Sequence, residues 1–320
     1  MRKTLREQIE ANKRGSFLLV CGMVLLITVL GATIVGIWHP RNWPIGAAGG
    51  LCLALLCSFI SRVWGSKIVL GISGSREATQ QEDQVLRNVV EEMTIASGLP
   101  MPKIYVIDDY APNAFATGRD PQNGIVCVTT GLLAKLNRDE LQGVMAHELS
   151  HIRNYDIRYM TTVSTMAGLI VLLADVLQGQ LRWGFWGRSR SSDNNNGGNN
   201  PLGIIFLVLG LILAFTAPML GWLLEMAVSR KREYLADASA AEMTRYPEGL
   251  ASALRKISED TDMLEAGNRA TQHMYIVNPL KLMEEHQDLL STHPSTESRI
   301  KALLGDAEYY AKQRKFGFKQ

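Results

Sequence analysis

The 320-residue sequence is poor in cysteine, in net charge and in internal repetition, and each shortage removes a class of explanation. Cys21, Cys52 and Cys57 fall in apolar stretches and Cys127 in an expected strand. The four follow no ligand or disulfide spacing, which excludes a disulfide scaffold or a cysteine-built metal site. With 33 basic against 31 acidic residues the net charge is +2, so there is no electrostatic footprint for nucleic acid. Charge is also missing locally. Ser16 to Trp38 contains none over a length that, at about 1.5 Å per residue, crosses roughly 30 Å of hydrocarbon. Trp43 to Ser61 is again uncharged and follows the turn His39-Pro40-Arg41-Asn42, so the two form a transmembrane hairpin. The alternative, a cleaved signal peptide, has a shorter apolar run and no second span.

Met160 to Leu177 and Pro201 to Leu224 form a second apolar pair. Asp175, near the far end of the first, can snorkel, and Pro218 lies in the second. If both cross, the residues flanking them emerge on one side; a buried helical pair in a soluble domain is the alternative. The intervening loop has Trp183, Phe185 and Trp186 as interfacial anchors, then a Ser/Asn/Gly tract over 191–200 expected to be disordered. Mean hydropathy is only +0.01, because charged soluble stretches dilute the spans.

What the chain does contain is His147, Glu148 and His151 in Val-Met-Ala-His-Glu-Leu-Ser-His-Ile-Arg, an H-E-x-x-H pattern. Residues four apart share a helix face, so both imidazoles can close on one ion at roughly 2.0 to 2.1 Å. Glu148 then stands beside the ion, where a carboxylate can deprotonate an attacking water without being a ligand. Asn137 as N-cap, Asp139 and Glu140 in the first turn, and Leu141, Val144, Met145, Leu149 and Ile152 at helical spacing predict a helix from Asp139 to Asp156. The pattern also arises by chance, so it needs a third ligand. Arg232-Glu233-Tyr234-Leu235-Ala236-Asp237, just after the last span, puts two carboxylates four apart. Glu233 can bind the metal, and Asp237 can accept a hydrogen bond from the outer nitrogen of a ligating histidine. An ordinary solvated helix face is the bland alternative. Two neutral imidazoles, one carboxylate and an open position suit a catalytic zinc ion, one per chain.

With Ser291-Thr292-His293-Pro294 and Arg299 added to these motifs, and two hydrophobic hairpins around them, nearly the whole chain resembles the HtpX membrane zinc metallopeptidases, relatives of the prenyl-protein peptidases. The resemblance implies a gluzincin-type endopeptidase of the bacterial inner (plasma) membrane that cleaves unfolded or damaged membrane proteins. Other membrane quality-control proteases are candidate partners. It also suggests roles that local chemistry only permits. Asn113, Ala114 and Phe115 lie between expected strands at Lys103 to Ile107 and Ile125 to Thr129, where an edge strand can pair with extended substrate; an internal strand with Phe115 in the core is the alternative. His293 becomes a candidate oxyanion stabiliser, or else a surface residue at a helix entry. Arg299, on a helix starting at Pro294, becomes a partner of Asp237 or another acid. A prenyl-protein endopeptidase and a non-catalytic, zinc-stabilised membrane adaptor are the competing functions.

Arg2, Lys3, Arg6, Lys13 and Arg14 precede the first span while Arg41 alone occupies its turn, which places both termini and the site in the cytoplasm. Arg153, Arg158, Arg230, Lys231 and Arg232 flank the second hairpin on the same side; Arg182, Arg188 and Arg190 would be external. The expected fold is α+β and mostly helical: a multi-pass membrane protein with two transmembrane hairpins and a zinc metalloprotease domain containing a small antiparallel sheet. The chain is expected to divide into residues 1–64 (N-terminal segment and first hairpin), 65–157 (the catalytic segment with the H-E-x-x-H helix), 158–228 (second hairpin) and 229–320 (the catalytic segment with the third ligand). Further helices are expected at Ala78 to Ser97, Ser229 to Glu242 and Pro294 to Leu304.

Overall fold

The computed structural model describes residues 5–79, 84–187, 201–264, 274–277 and 294–305. The chain divides into two compact units, Met1–Arg62 with Thr162–Glu225, and Val63–Thr161 with Met226–Gln320.

The first unit is helical. α1 (Leu5–Trp38) and α2 (Trp43–Ile72) are joined by a single 3-10 turn at Pro40–Asn42; α6 (Asp156–Gly187) and α7 (Pro201–Thr244) supply the rest. Among the described residues, four stretches are long and apolar enough to cross a membrane: Phe17–Trp38, Pro40–Ile72, Asp156–Arg182 and Pro201–Gly221. Phe17, Leu25, Leu55, Phe59, Leu172 and Phe215 point outward, while Met23, Ile27, Leu30, Ala54 and Ala217 are buried. Thr28, Thr33 and Ser58 donate their hydroxyls to carbonyls four residues back, so these polar groups bring no unsatisfied donor into an apolar setting. α1 and α2 touch backbone to backbone: a Cβ on Gly50 would stand 2.8 Å from the Ile27 carbonyl oxygen.

The second unit is a four-stranded sheet between helices. β1 (Arg76–Glu77), β2 (Lys103–Ile107), β3 (Ala114–Gly118) and β4 (Gly124–Thr129) are ordered β1-β2-β4-β3. β1 is antiparallel to β2 and β3 antiparallel to β4, but β2 and β4 run parallel. The sheet is therefore mixed, a correction to the antiparallel sheet expected from the sequence. The chain passes from β2 to the far edge before β4 returns between them. β3 and β4 are buried throughout, as strands covered on both faces are. Val106, Ala114, Ala116, Val126 and Val128 share a core with α3 (Gln84–Ser97), Leu132 of the short α4 (Thr130–Lys135), α5 (Arg138–Arg153), α8 (Pro247–Glu259) and Ile300 of α9 (Thr296–Leu304). On the other face Ile107, Phe115 and Cys127 pack with Val69, Leu70 and Tyr275.

α5 begins as its sequence predicts. The Asn137 side chain accepts from the Glu140 amide and the Glu140 carboxylate accepts from the Asn137 amide, each at 2.9 Å, a reciprocal cap that satisfies two orphan donors. Glu140 also accepts from Ser252 (2.7 Å) and Lys256 (2.8 Å) of α8, and Gly143 admits that helix: a Cβ there would lie 2.6 Å from the Leu250 nitrogen. Burial alone would raise the Glu140 pKa, but Lys256, Ser252 and the Asn137 amide outweigh it and hold it below the ordinary value.

Several boundaries differ from the sequence expectation. The helix predicted to reach Asp156 stops at Arg153, because Tyr155 takes a left-handed conformation (φ 63°), and the chain restarts as α6 at Asp156. The span expected to end at Leu224 and the helix expected at Ser229 are one 44-residue helix, α7; no proline follows Pro218 before its end, and the Arg-Lys-Arg-Glu run consists of good helix formers. α3 starts at Gln84 rather than Ala78, and α9 at Thr296, where the Ser295 hydroxyl accepts from the Ser298 amide (3.2 Å), rather than at Pro294. The tract over 191–200 lies outside the described residues.

Candidate metal centre

His147 and His151 project from one face of α5 into an interior where both are almost fully buried, their rings edge to face with centroids 4.8 Å apart. Their Nε2 atoms are 3.2 Å apart. Glu233, from α7, completes a triangle: Oε2 is 3.5 Å from Nε2 of His147 and Oε1 is 3.4 Å from Nε2 of His151. Ligand atoms bound tetrahedrally at about 2.05 Å stand roughly 3.3 Å from one another, so the two imidazole nitrogens and the Glu233 carboxylate, one oxygen facing each ring, are already close enough to share a zinc ion. A second feature fits the same ion. Glu148 is 1% exposed, and neither of its carboxylate oxygens has a hydrogen-bond partner among the described residues, leaving its proton-accepting atoms uncommitted there. Burial raises its pKa, with Glu233 adding to the effect against the pull of His147, His151 and Arg299.

Nδ1 of His147 donates to Oδ1 of Asp237 at 2.9 Å, which turns Nε2 toward Glu233. Asp237 is itself gripped by Arg299, whose Nε donates to Oδ2 (2.8 Å) and Nη2 to Oδ1 (2.7 Å). Burial alone would raise the Asp237 pKa, but Arg299 and His147 together bring it below the ordinary value. Burial would lower the His147 pKa, and the carboxylates of Asp237 and Glu233 raise it instead. Arg299, 1% exposed, also places Nη1 3.2 Å from Oε2 of Glu233 and donates it to the Ile276 carbonyl at 2.7 Å.

His151 has a partner that sequence reasoning missed. Its Nδ1 lies 3.3 Å from Oδ2 of Asp156, whose Oδ1 forms a 3.0 Å ion pair with Nη1 of Arg232, and the Arg232 guanidinium sits 4.1 Å over the Tyr159 ring. Arg232 is 4% exposed and paired with Asp156, unlike a solvated charge flanking a membrane span. The signal was an acid five residues beyond His151 and a base next to Glu233. Neither can be interpreted while α5 is assumed to run on.

β3 is an edge strand in the order of the sheet, but its outer side is occupied by the chain itself. Tyr275 forms an antiparallel bridge with Phe115, the Ile276 amide donates to the Ala114 carbonyl (2.9 Å), and the Asn113 side-chain amide donates to the Val277 carbonyl (2.9 Å). Phe115 is buried edge-on against Tyr275, centroids 5.2 Å apart. The structure thus gathers His147, Glu148, His151, Glu233, Asp237 and Arg299 into one cluster, with Asn113, Ala114 and Phe115 linked to it through Ile276. His293 lies outside the described residues.

The sequence model of peptidase family M48 matches residues 80–307. The curated "Protease HtpX homolog" of Dictyoglomus thermophilum is 45% identical over 304 residues, covering 94% of each protein. Its counterpart in Thermoanaerobacter pseudethanolicus is 45% identical over 305 residues (94% of this chain, 98% of that one), and that of Streptococcus uberis 39% over 299 (93% and 99%). Among solved structures, the crystal structure of S. mikatae Ste24p matches 92% of this chain with a TM-score of 0.50 and 20% identity; the match spans 66% of that longer chain, just under two thirds, and speaks for the fold alone. Four apolar helices, a buried pair of imidazoles with a converging carboxylate, and relatives matched almost end to end agree: the chain belongs to peptidase family M48 and is a multi-pass membrane metallopeptidase of the HtpX kind.

Proposed function

We propose that His147, His151 and Glu233 hold one zinc ion per chain and that the protein is an endopeptidase of membrane-protein quality control in the bacterial inner membrane. Its site and both termini face the cytoplasm, and residues 65–157 and 229–320 form a catalytic domain interrupted by the hairpin of residues 158–228, with residues 1–64 carrying the first hairpin. The observation that carries the reading is the 3.2 to 3.5 Å spacing between the two Nε2 atoms and from each of them to its facing Glu233 oxygen, beside an uncommitted Glu148 carboxylate. When bound, zinc supplies a Lewis acid that brings the pKa of a water down to about 7 and polarises the scissile carbonyl. Glu148 takes the proton of the attacking water and returns it to the leaving amine, and its raised pKa suits both transfers. Asp237 keeps the His147 Nδ1 proton in place, and Arg299 keeps Asp237 ionised. His293 is assigned the oxyanion. Extended substrate adds to β3 at Asn113, Ala114 and Phe115 through main-chain hydrogen bonds, which read little side-chain sequence and suit damaged clients; reaching that edge requires residues 274–277 to yield.

A zinc-stabilised adaptor would give Glu148 no task. The test is cleavage of unfolded casein by the detergent-purified protein, abolished by a chelator and restored by zinc. Glu148→Gln is expected to keep stoichiometric zinc while turnover drops by about 100- to 10,000-fold, the usual worth of a general acid–base. Wild-type turnover in that variant would refute the mechanism.

A further inference from the structure

We propose that Asp156 is the positioning residue for His151, and that Arg232 supports the site by holding Asp156 in place. The inference rests on the reading of His147, His151 and Glu233 as the zinc ligands. A ligating imidazole must keep its outer nitrogen protonated and its ring turned, a task usually given to a carboxylate or carbonyl. For His147 that carboxylate is Asp237, one turn beyond Glu233 on α7. For His151 the structure offers Asp156, 2% exposed, with Oδ2 3.3 Å from Nδ1.

The position of Asp156 depends on the break after α5. On an unbroken helix a residue five beyond His151 lies about 140° round the axis and about 7.5 Å further along it, out of reach of the imidazole. The left-handed Tyr155 ends that helix, and Asp156 opens the next one facing back toward His151. A carboxylate buried this deeply needs a counter-charge, which Arg232 provides at 3.0 Å from Oδ1 while its guanidinium lies over the Tyr159 ring. Adjacent residues of α7 therefore serve the two sides of the site: Glu233 approaches the ligand set directly, and Arg232 approaches it through Asp156. The pair mirrors Asp237 with Arg299, so each histidine is backed by one acid and each acid by one arginine.

The experiment measures zinc affinity of the full-length protein in detergent by competition with a chromophoric chelator, and melting temperature with and without zinc. Asp156→Ala is expected to weaken zinc binding by about 10- to 100-fold, the usual loss when an outer partner of a metal ligand is removed, and to shrink the zinc-induced rise in melting temperature. Arg232→Met should weaken binding in the same direction and add nothing when combined with Asp156→Ala. Should Asp156→Ala not fold, Asp156→Asn, of equal size but uncharged, carries the measurement. Wild-type zinc affinity in these variants, or a melting point lowered equally with and without zinc, would overturn the proposal. His151→Ala and Glu233→Ala separate this failure from that of the underlying reading: if they too keep zinc, the ligand assignment itself is wrong.

Discussion

The two units of the chain solve opposite solvation problems. In the helical unit, Phe17, Leu25, Phe59 and Phe215 are turned outward and the interior combines aliphatic side chains such as Met23, Ile27 and Leu30 with close backbone contacts, as at Gly50. In the unit that carries the histidines, the outward face is ordinary and the interior holds Glu140, Glu148, Asp156, Arg232, Glu233, Asp237 and Arg299. An apolar exterior costs nothing where lipid is the solvent, and close approach at glycines such as Gly50 lets helices associate without a hydrophobic drive. Apart from the uncommitted Glu148, each of these groups has an oppositely charged partner, which is what allows them to be buried. The first unit thus depends on shape and the second on pairing.

That contrast can be broken at its strongest point first. Arg299→Met removes the bidentate partner of buried Asp237 and should destabilise the zinc-free protein by about 3 to 5 kcal/mol in denaturant unfolding; a loss under about 1 kcal/mol would mean the pairing is not what sustains this interior. Gly50→Leu probes the other unit. Overpacking against the Ile27 carbonyl should cost about 1 to 3 kcal/mol, visible as a lowered melting temperature in detergent, and an unchanged melt would show that α1 and α2 do not rely on close approach.

Glu140→Gln, at the α5–α8 junction, should cost about 1 kcal/mol and, more tellingly, change the acid limb of the stability curve. The folded-state pKa of Glu140 lies below the ordinary glutamate value of about 4.3, so its contribution is complete above that pH and is lost as pH falls through the folded value. The variant should therefore converge with wild type at the acid end, and parallel curves would discount the ion pair. The smallest effect is expected from Ile276→Pro. Removing the amide that donates to Ala114 loosens the strand on the β3 edge by about 0.5 to 1.5 kcal/mol, which should raise kcat/KM for extended peptides by roughly 2- to 10-fold; no rise would indicate that substrate does not need that edge.

The features legible in the sequence were those governed by local periodicity. The apolar runs, the Asn137 cap and the four-residue spacing of His147 and His151 are each determined within a turn or two of helix, and the structure places all three as expected. Glu233 and Asp237 were legible because their spacing again follows one helix face. What could not be read depends on contacts distant in sequence. The parallel pairing of β2 with β4 follows from strand order, which no run of residues in either strand encodes. The roles of Asp156 and Arg232 were hidden because Tyr155 is neither glycine nor asparagine, the residues that ordinarily advertise a left-handed turn. The continuity of α7 was missed because an abrupt change from apolar to charged composition looked like a boundary, although nothing in it breaks a helix.

The two-residue bend at Asn154 and Tyr155 makes chain length there as strict a requirement as chemistry. Inserting or deleting one residue between the ligand and its acid would change where and how the following helix starts and carry the carboxylate away from the ring it serves. A family sharing this site should therefore tolerate many side chains at the bend and almost no change in their number.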